Sequence, residues 1–194
     1  MRTPDPAVTC RMAWYSNRTW CRTGTAAACL LGVATLAASC GGSPSASGRH
    51  ADHPSTTARS QATATLAAYR ASQVAFDQAM QQANPTLPAL AQTMTGSELD
   101  SVRRSLVSDQ ANGIVGQGNV QVHPKLVSMS GDRTVIHDCV FSSLELVYKS
   151  TGKPVPPVTP PEHDGVTATL IQTSAGTWKV STEHVTEGSC PAGY

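Results

Sequence analysis

From Thr63 onward the large apolar residues recur at helical intervals. Leu66, Tyr69, Phe76 and Met80, with Gln73 among them and alanines between, predict an amphipathic helix over 63–83. Asn84-Pro85 ends it, because the residue before a proline is pushed out of helical geometry. A short helical turn is expected over 87–94, with Pro88 in a first-turn position. Thr95-Gly-Ser-Glu98 has the form of a capping box ahead of Leu99, Val102 and Leu106, and Asn112-Gly113 should stop that helix. Beyond Gly113 the period becomes extended. Val120 to Val122 and Leu126 to Met129 flank His123-Pro124 as one kinked strand or two short pieces, Gly131-Asp132 is a turn, and Thr134 to Lys149 reads as one long, bent or bulged strand. Val166 to Gln172 and Thr177 to Val185 form a hairpin. Alternation puts Val166, Ala168 and Leu170 on one face, and Trp178, Val180, Thr182 and His184 together on one face of the partner strand. Helices first and then about four antiparallel strands make an α+β domain, with the helices packed on one side of a curved sheet.

Residues 1–39 have another character. Arg2, Arg11, Arg18 and Arg22 precede an uncharged run, Thr25 to Ala38, about 14 residues long against the roughly 20 of a permanent span. This is the layout of an export signal, with translation starting at Met1 or Met12. Leu36-Ala-Ala-Ser-Cys40-Gly-Gly-Ser43 resembles the bacterial lipobox. The resemblance implies that Cys40 carries diacylglycerol and becomes the new N-terminus, leaving the protein attached to the outer side of the cell membrane. Ala37 departs from the leucine more usual there. Residues 40–62 hold almost no large apolar side chain and read as a disordered tether. The globular domain is expected over 63–194. His50 and His53 lie in the tether without carboxylate support, and no metal is assigned to them.

Composition narrows the function. A net charge of +1, with 14% of residues charged, leaves no basic footprint for nucleic acid. Of six cysteines, Cys10, Cys21 and Cys29 leave with the signal and Cys40 takes the lipid. Cys139 and Cys190 remain, and in an exported, oxidising setting they read as one disulfide. A redox pair or half of a metal site would need the closer C-x-x-C spacing.

The order of elements resembles the NTF2-like (cystatin-like α+β roll) superfamily, and within it the small secreted or lipid-anchored proteins of actinomycetes. The residues concerned are the opening helix with Tyr69 and Phe76, Asp138-Cys139 in the long strand, Thr151-Gly-Lys-Pro154 after it, and Gly176-Thr-Trp-Lys-Val180 followed by Cys190. The resemblance implies a sheet curved around the helices to form a cone with an apolar pocket, serving isomerase, dehydratase or cyclase chemistry in some relatives and binding alone in others. The candidate pocket residues are Tyr69, Phe76, Trp178, Val180 and His184.

Catalysis in such a cone would require an acid or base with a shifted pKa and a donor for a developing oxyanion. Neighbours on one strand, His137 and Asp138 point to opposite faces and make no dyad. No residue is assigned as catalytic and no cofactor is expected. Gly113-Ile-Val-Gly116-Gln-Gly118 lacks the dinucleotide fingerprint and reads as a loop. Residues 151–165 place five prolines in eight positions, a stiff segment serving as a rigid connection or a recognition edge. The reading favoured by the sequence is a membrane-anchored, extracytoplasmic module that binds a small apolar ligand or another envelope protein. The alternative is an extracytoplasmic isomerase or dehydratase acting on a small apolar or carbonyl substrate.

Overall fold

The structure is a computed structural model that describes residues 56–158 and 162–194. Cys40, His50, His53 and residues 1–39 lie outside the described residues. Three helices come first: α1 (Thr56–Gln82), α2 (Pro88–Thr93) and α3 (Gly96–Asn112). Seven strands follow: β1 (Ile114–Gln117), β2 (Val120–Gln121), β3 (Lys125–Ser130), β4 (Arg133–Ser142), β5 (Glu145–Tyr148), β6 (Glu162–Gln172) and β7 (Trp178–Thr186). Helix α1 begins at Thr56, upstream of Thr63, so the last residues of the expected tether are helical. The segment has no large apolar residue before Leu66 to announce it; Thr65 is nevertheless fully buried, its hydroxyl donating to the Gln61 carbonyl.

The larger sheet has five strands, all antiparallel, with β4 paired to β6 and β6 to β7, while β2 and β3 lie end to end along the other edge of β4. Two corrections concern the strands. Gly113 to Gly118, expected as a loop, contains β1, and the long strand expected over 134–149 is two strands. β4 ends at Ser142, and β5 pairs with β1 in a separate two-stranded sheet, Ile114 opposite Tyr148. Gly118 makes the break possible: its φ is 108°, and a Cβ there would stand 2.2 Å from the Ser143 carbonyl oxygen.

The helices lie on one face of the large sheet. α1 buries Tyr69, Ala75, Ala79 and Met80, α2 buries Leu90, and α3 buries Val102 and Leu106. From the sheet come Ile136, Val140, Val166, Ala168, Leu170, Trp178 and Val180, which complete one core. The expected face of β6 is found, with Val166, Ala168 and Leu170 all buried. A smaller cluster of Ala83, Val115 and Val147 joins the two-stranded sheet to the end of α1.

The capping box is also corrected. Thr95 occupies the N-cap position of α3 without a side-chain cap bond, and Glu98 turns away from it. Glu98 is 2% exposed, and its Oε2 accepts the Glu183 N–H of β7 at 2.8 Å. The same helix start is pinned to β7 by Thr95 N–H donating to the Val180 carbonyl, 2.8 Å. The carboxylate thus satisfies a donor of the strand in place of one at the helix start.

Candidate functional site

Strand β4 sends Thr134, Ile136, Asp138 and Val140 toward the helices. Asp138 is the charged member of that row and is fully enclosed. Its Oδ1 accepts the His123 N–H at 2.6 Å, from the loop between β2 and β3, and the Tyr69 hydroxyl of α1 lies beside the same carboxyl. Tyr69 reaches it because it lies on the α1 stripe facing β4, where it too is 0% exposed. Burial pushes the Asp138 carboxyl above the ordinary aspartate range, against the opposing pull of the His123 N–H, Tyr69 hydroxyl and Cys139 N–H and of the nearby His123 ring. An acid held toward its neutral form beside a phenol is a pair of proton donors, the type of group that stabilises a developing oxyanion. Here both groups are sealed within the protein, each 0% exposed.

Of the five residues expected to line a pocket, Tyr69, Trp178 and Val180 are buried in the core and Phe76 packs against it. The structure brings these four together as packed interior. His184 is placed elsewhere: it is exposed, on the outer face of the sheet. The reason is a β-bulge. Thr169 pairs with Thr182 but Leu170 pairs with Val180, so Ser181 is the extra residue and every side chain after it changes face. Glu183 and Val185 therefore turn toward the helices, where Glu183 Oε1 accepts the Gln73 Nε2–H at 2.8 Å. Strict alternation along the strand carried no sign of this insertion.

Sequence reasoning also passed over Asp77, which lies next to Phe76 on α1. Its Oδ1 is buried without a hydrogen-bond partner, and burial pushes the carboxyl up to about 6, against a bond from the Val120 backbone. The available signal was positional, since Asp77 follows Gln73 by four and Tyr69 by eight, a polar residue beside an apolar stripe. Because the native carboxyl holds its proton more tightly than the unfolded one, its contribution to stability is present below the unfolded value and is lost as pH rises through about 6. We expect Asp77→Asn to leave stability unchanged at low pH and to raise it by about 1 kcal/mol above pH 7, a value discounted for partial solvent screening. Urea unfolding on both sides of the transition checks this, and an equal effect at both ends would refute it.

On the opposite face of β4, Cys139 is joined to Cys190 in a disulfide. Cys139 stands opposite Gly165 of β6, the position that lets the C-terminal tail cross the sheet: a Cβ on Gly165 would lie 2.3 Å from the Ser189 carbonyl oxygen. The tail is fastened on both sides of the bridge. Gly188 N–H donates to Asp164 Oδ1 at 3.0 Å, the Tyr194 hydroxyl donates to the His137 carbonyl, and Lys125 Nζ donates to the Gly193 carbonyl while lying 4.0 Å from the Tyr194 ring centre. Burial and the Asp138 charge push the Tyr194 phenol up. His163 lies on this face as well, with Nδ1 3.9 Å from Cys139 Sγ and its ring 5.0 Å from that of Phe141. His137 and Asp138 do point to opposite faces, as their adjacency required. The proline segment is anchored by Val155 N–H donating to the Leu146 carbonyl and by a bridge between Pro154 and Val147, and residues 159–161 lie outside the described residues.

No family model and no curated protein matches this chain. Among solved structures it is similar to the intermembrane space region of the chloroplast protein ARC6, at 14% identity over 68% of this chain and 98% of that one, with a TM-score of 0.51. It is also similar to an NTF2-like superfamily protein from Salmonella enterica serovar Typhimurium, at 9% identity over 69% and 96% of the two chains, TM-score 0.43. A ketosteroid isomerase-like protein from Erwinia carotovora atroseptica is similar at 17% identity over 64% and 94%, TM-score 0.43. N-terminal helices packed on an antiparallel sheet give the chain an α+β fold, shared with the ARC6 region.

Proposed function

We propose that this protein is a lipid-anchored, extracytoplasmic module that acts by binding another envelope component or a small apolar ligand, and not by catalysis. The observation that carries this reading is the enclosure of Tyr69 and Asp138, both 0% exposed, which leaves the interior acid without access to a substrate. The lipobox-like residues ending at Cys40 and the disulfide support an exported, tethered domain. A second reading, an isomerase or dehydratase, draws on Asp77, whose carboxyl near pH 6 suits a general base.

The test is made on the full chain expressed in a bacterium. The wild type should enter the detergent phase on partitioning and carry a diacylglyceryl mass on its N-terminal peptide, and Cys40→Ser should remain aqueous. An aqueous wild type would sink the anchor. Incubated with β,γ-unsaturated ketones and β-hydroxy carbonyl compounds, the protein should give no turnover above buffer. Turnover that Asp77→Asn or Tyr69→Phe abolishes would replace the binding reading with the enzymatic one.

A further inference from the structure

The Sγ atoms of Cys139 and Cys190 and a ring nitrogen of His163 all lie within 4.8 Å of one another. They come from three separate parts of the chain: Cys139 from the middle of β4, His163 from the start of β6 and Cys190 from the tail. Side chains facing outward from paired strands set the first two, since Cys139 opposes Gly165 and His163 is the next outward residue along β6. The absence of a side chain on Gly165 leaves their common flank to the tail alone.

We propose that this trio is a latent site for a borderline or soft metal ion, with Zn²⁺ as the reference case, closed while the disulfide is intact and opened by its reduction. A tetrahedral zinc bound by thiolate at about 2.3 Å and imidazole at about 2.0–2.1 Å needs sulfur and nitrogen roughly 3.6 Å apart and two sulfurs roughly 3.8 Å apart. Cys139 Sγ and His163 Nδ1 already stand at 3.9 Å, on two hydrogen-bonded strands. The sulfurs must separate, and it is Cys190 that can move, because it belongs to a tail beyond the last strand held by isolated hydrogen bonds, while Cys139 lies within β4 opposite Gly165 of β6. A tilted contact with the Phe141 ring orients the His163 ring, and the ring is exposed, so the fourth position stays open to water. Two thiolates and one imidazole form a donor set suited to Zn²⁺ or Cu⁺ over Mg²⁺ or Ca²⁺.

A dithiol passes two electrons and two protons to the Cys139–Cys190 bond and becomes a cyclic disulfide, leaving two thiols on the protein. Zn²⁺ then forms two bonds to sulfur and one to nitrogen, and both thiol protons pass to solvent.

The experiment uses the full chain with Cys10, Cys21, Cys29 and Cys40 changed to serine, so that Cys139 and Cys190 are the only cysteines. After reduction with a phosphine and anaerobic desalting, Co²⁺ should bind one to one with thiolate-to-cobalt charge transfer and the visible bands of tetrahedral cobalt, and Zn²⁺ should displace it. His163→Ala should weaken binding by at least about tenfold, and the oxidised chain should give no cobalt spectrum. Equal binding by His163→Ala, a cobalt spectrum from the oxidised chain, or no thiolate bands after reduction would each overturn the site. So would a reduced chain whose helical circular dichroism is lost and not recovered on adding Zn²⁺.

Discussion

Replacing Cys139 and Cys190 together by serine is expected to lower the unfolding free energy by about 4 kcal/mol. The bridge closes a loop with a sequence separation of 51, and the chain-entropy relation for that length gives about 4 kcal/mol. That is a large part of the roughly 5–15 kcal/mol that holds a domain together. The tail beyond Glu187 is otherwise held by isolated hydrogen bonds to Asp164, His137 and Lys125, at least two of them at exposed positions where water competes. Urea unfolding of the oxidised wild type and of the double variant checks the value. The variant should also show a larger denaturant dependence, because an uncrosslinked unfolded chain exposes more surface. A loss below about 1 kcal/mol would mean that the tail contacts, and not the bridge, set the position of this segment.

Asp138→Ala should cost about 3 kcal/mol, since it removes the acceptor of the His123 N–H and the polar group beside the buried Tyr69 hydroxyl. Asp138→Asn keeps a carbonyl oxygen in the same place and should cost far less. The two variants also separate by pH. Burial raises the native pKa of Asp138, so the native state binds the proton more tightly than the unfolded chain does. Its stabilising contribution is complete below the unfolded value and falls as pH rises through the native one. The asparagine variant has no such loss, and its stability relative to wild type should therefore improve steadily as pH rises. Denaturant titrations at matched ionic strength over that range measure it. A difference between wild type and Asp138→Asn that stays constant with pH would show that the carboxyl is ionised equally in both states.

Much of the fold could be read from apolar spacing. The stripe through Tyr69 and Met80, the αL stop at Gly113 and the inward row Val166, Ala168 and Leu170 follow from periods of 3.6 and 2 and from turn chemistry. The start of α1 escaped because its first residues are small and polar, and buried Thr65 does not look like a core residue. β1 escaped because its partner β5 is far along the chain. The candidate site was legible in part. Tyr69 and Asp138 were both singled out, yet their meeting depends on the docking of α1 against β4, which no local pattern encodes.

What the sequence determined by itself was the class of the domain and its disulfide: helices before strands, and the pair Cys139 and Cys190. Each rests on short-range spacing or residue chemistry. The tertiary structure alone decided which way the side chains beyond Ser181 face. One inserted residue moved His184 outward and Glu183 inward toward Gln73, and placed the Glu183 N–H against Glu98 in place of a helix cap. Tertiary packing likewise brought His163 beside the disulfide, since strand register, fixed by which apolar face must be buried, sets neighbours that sequence distance hides.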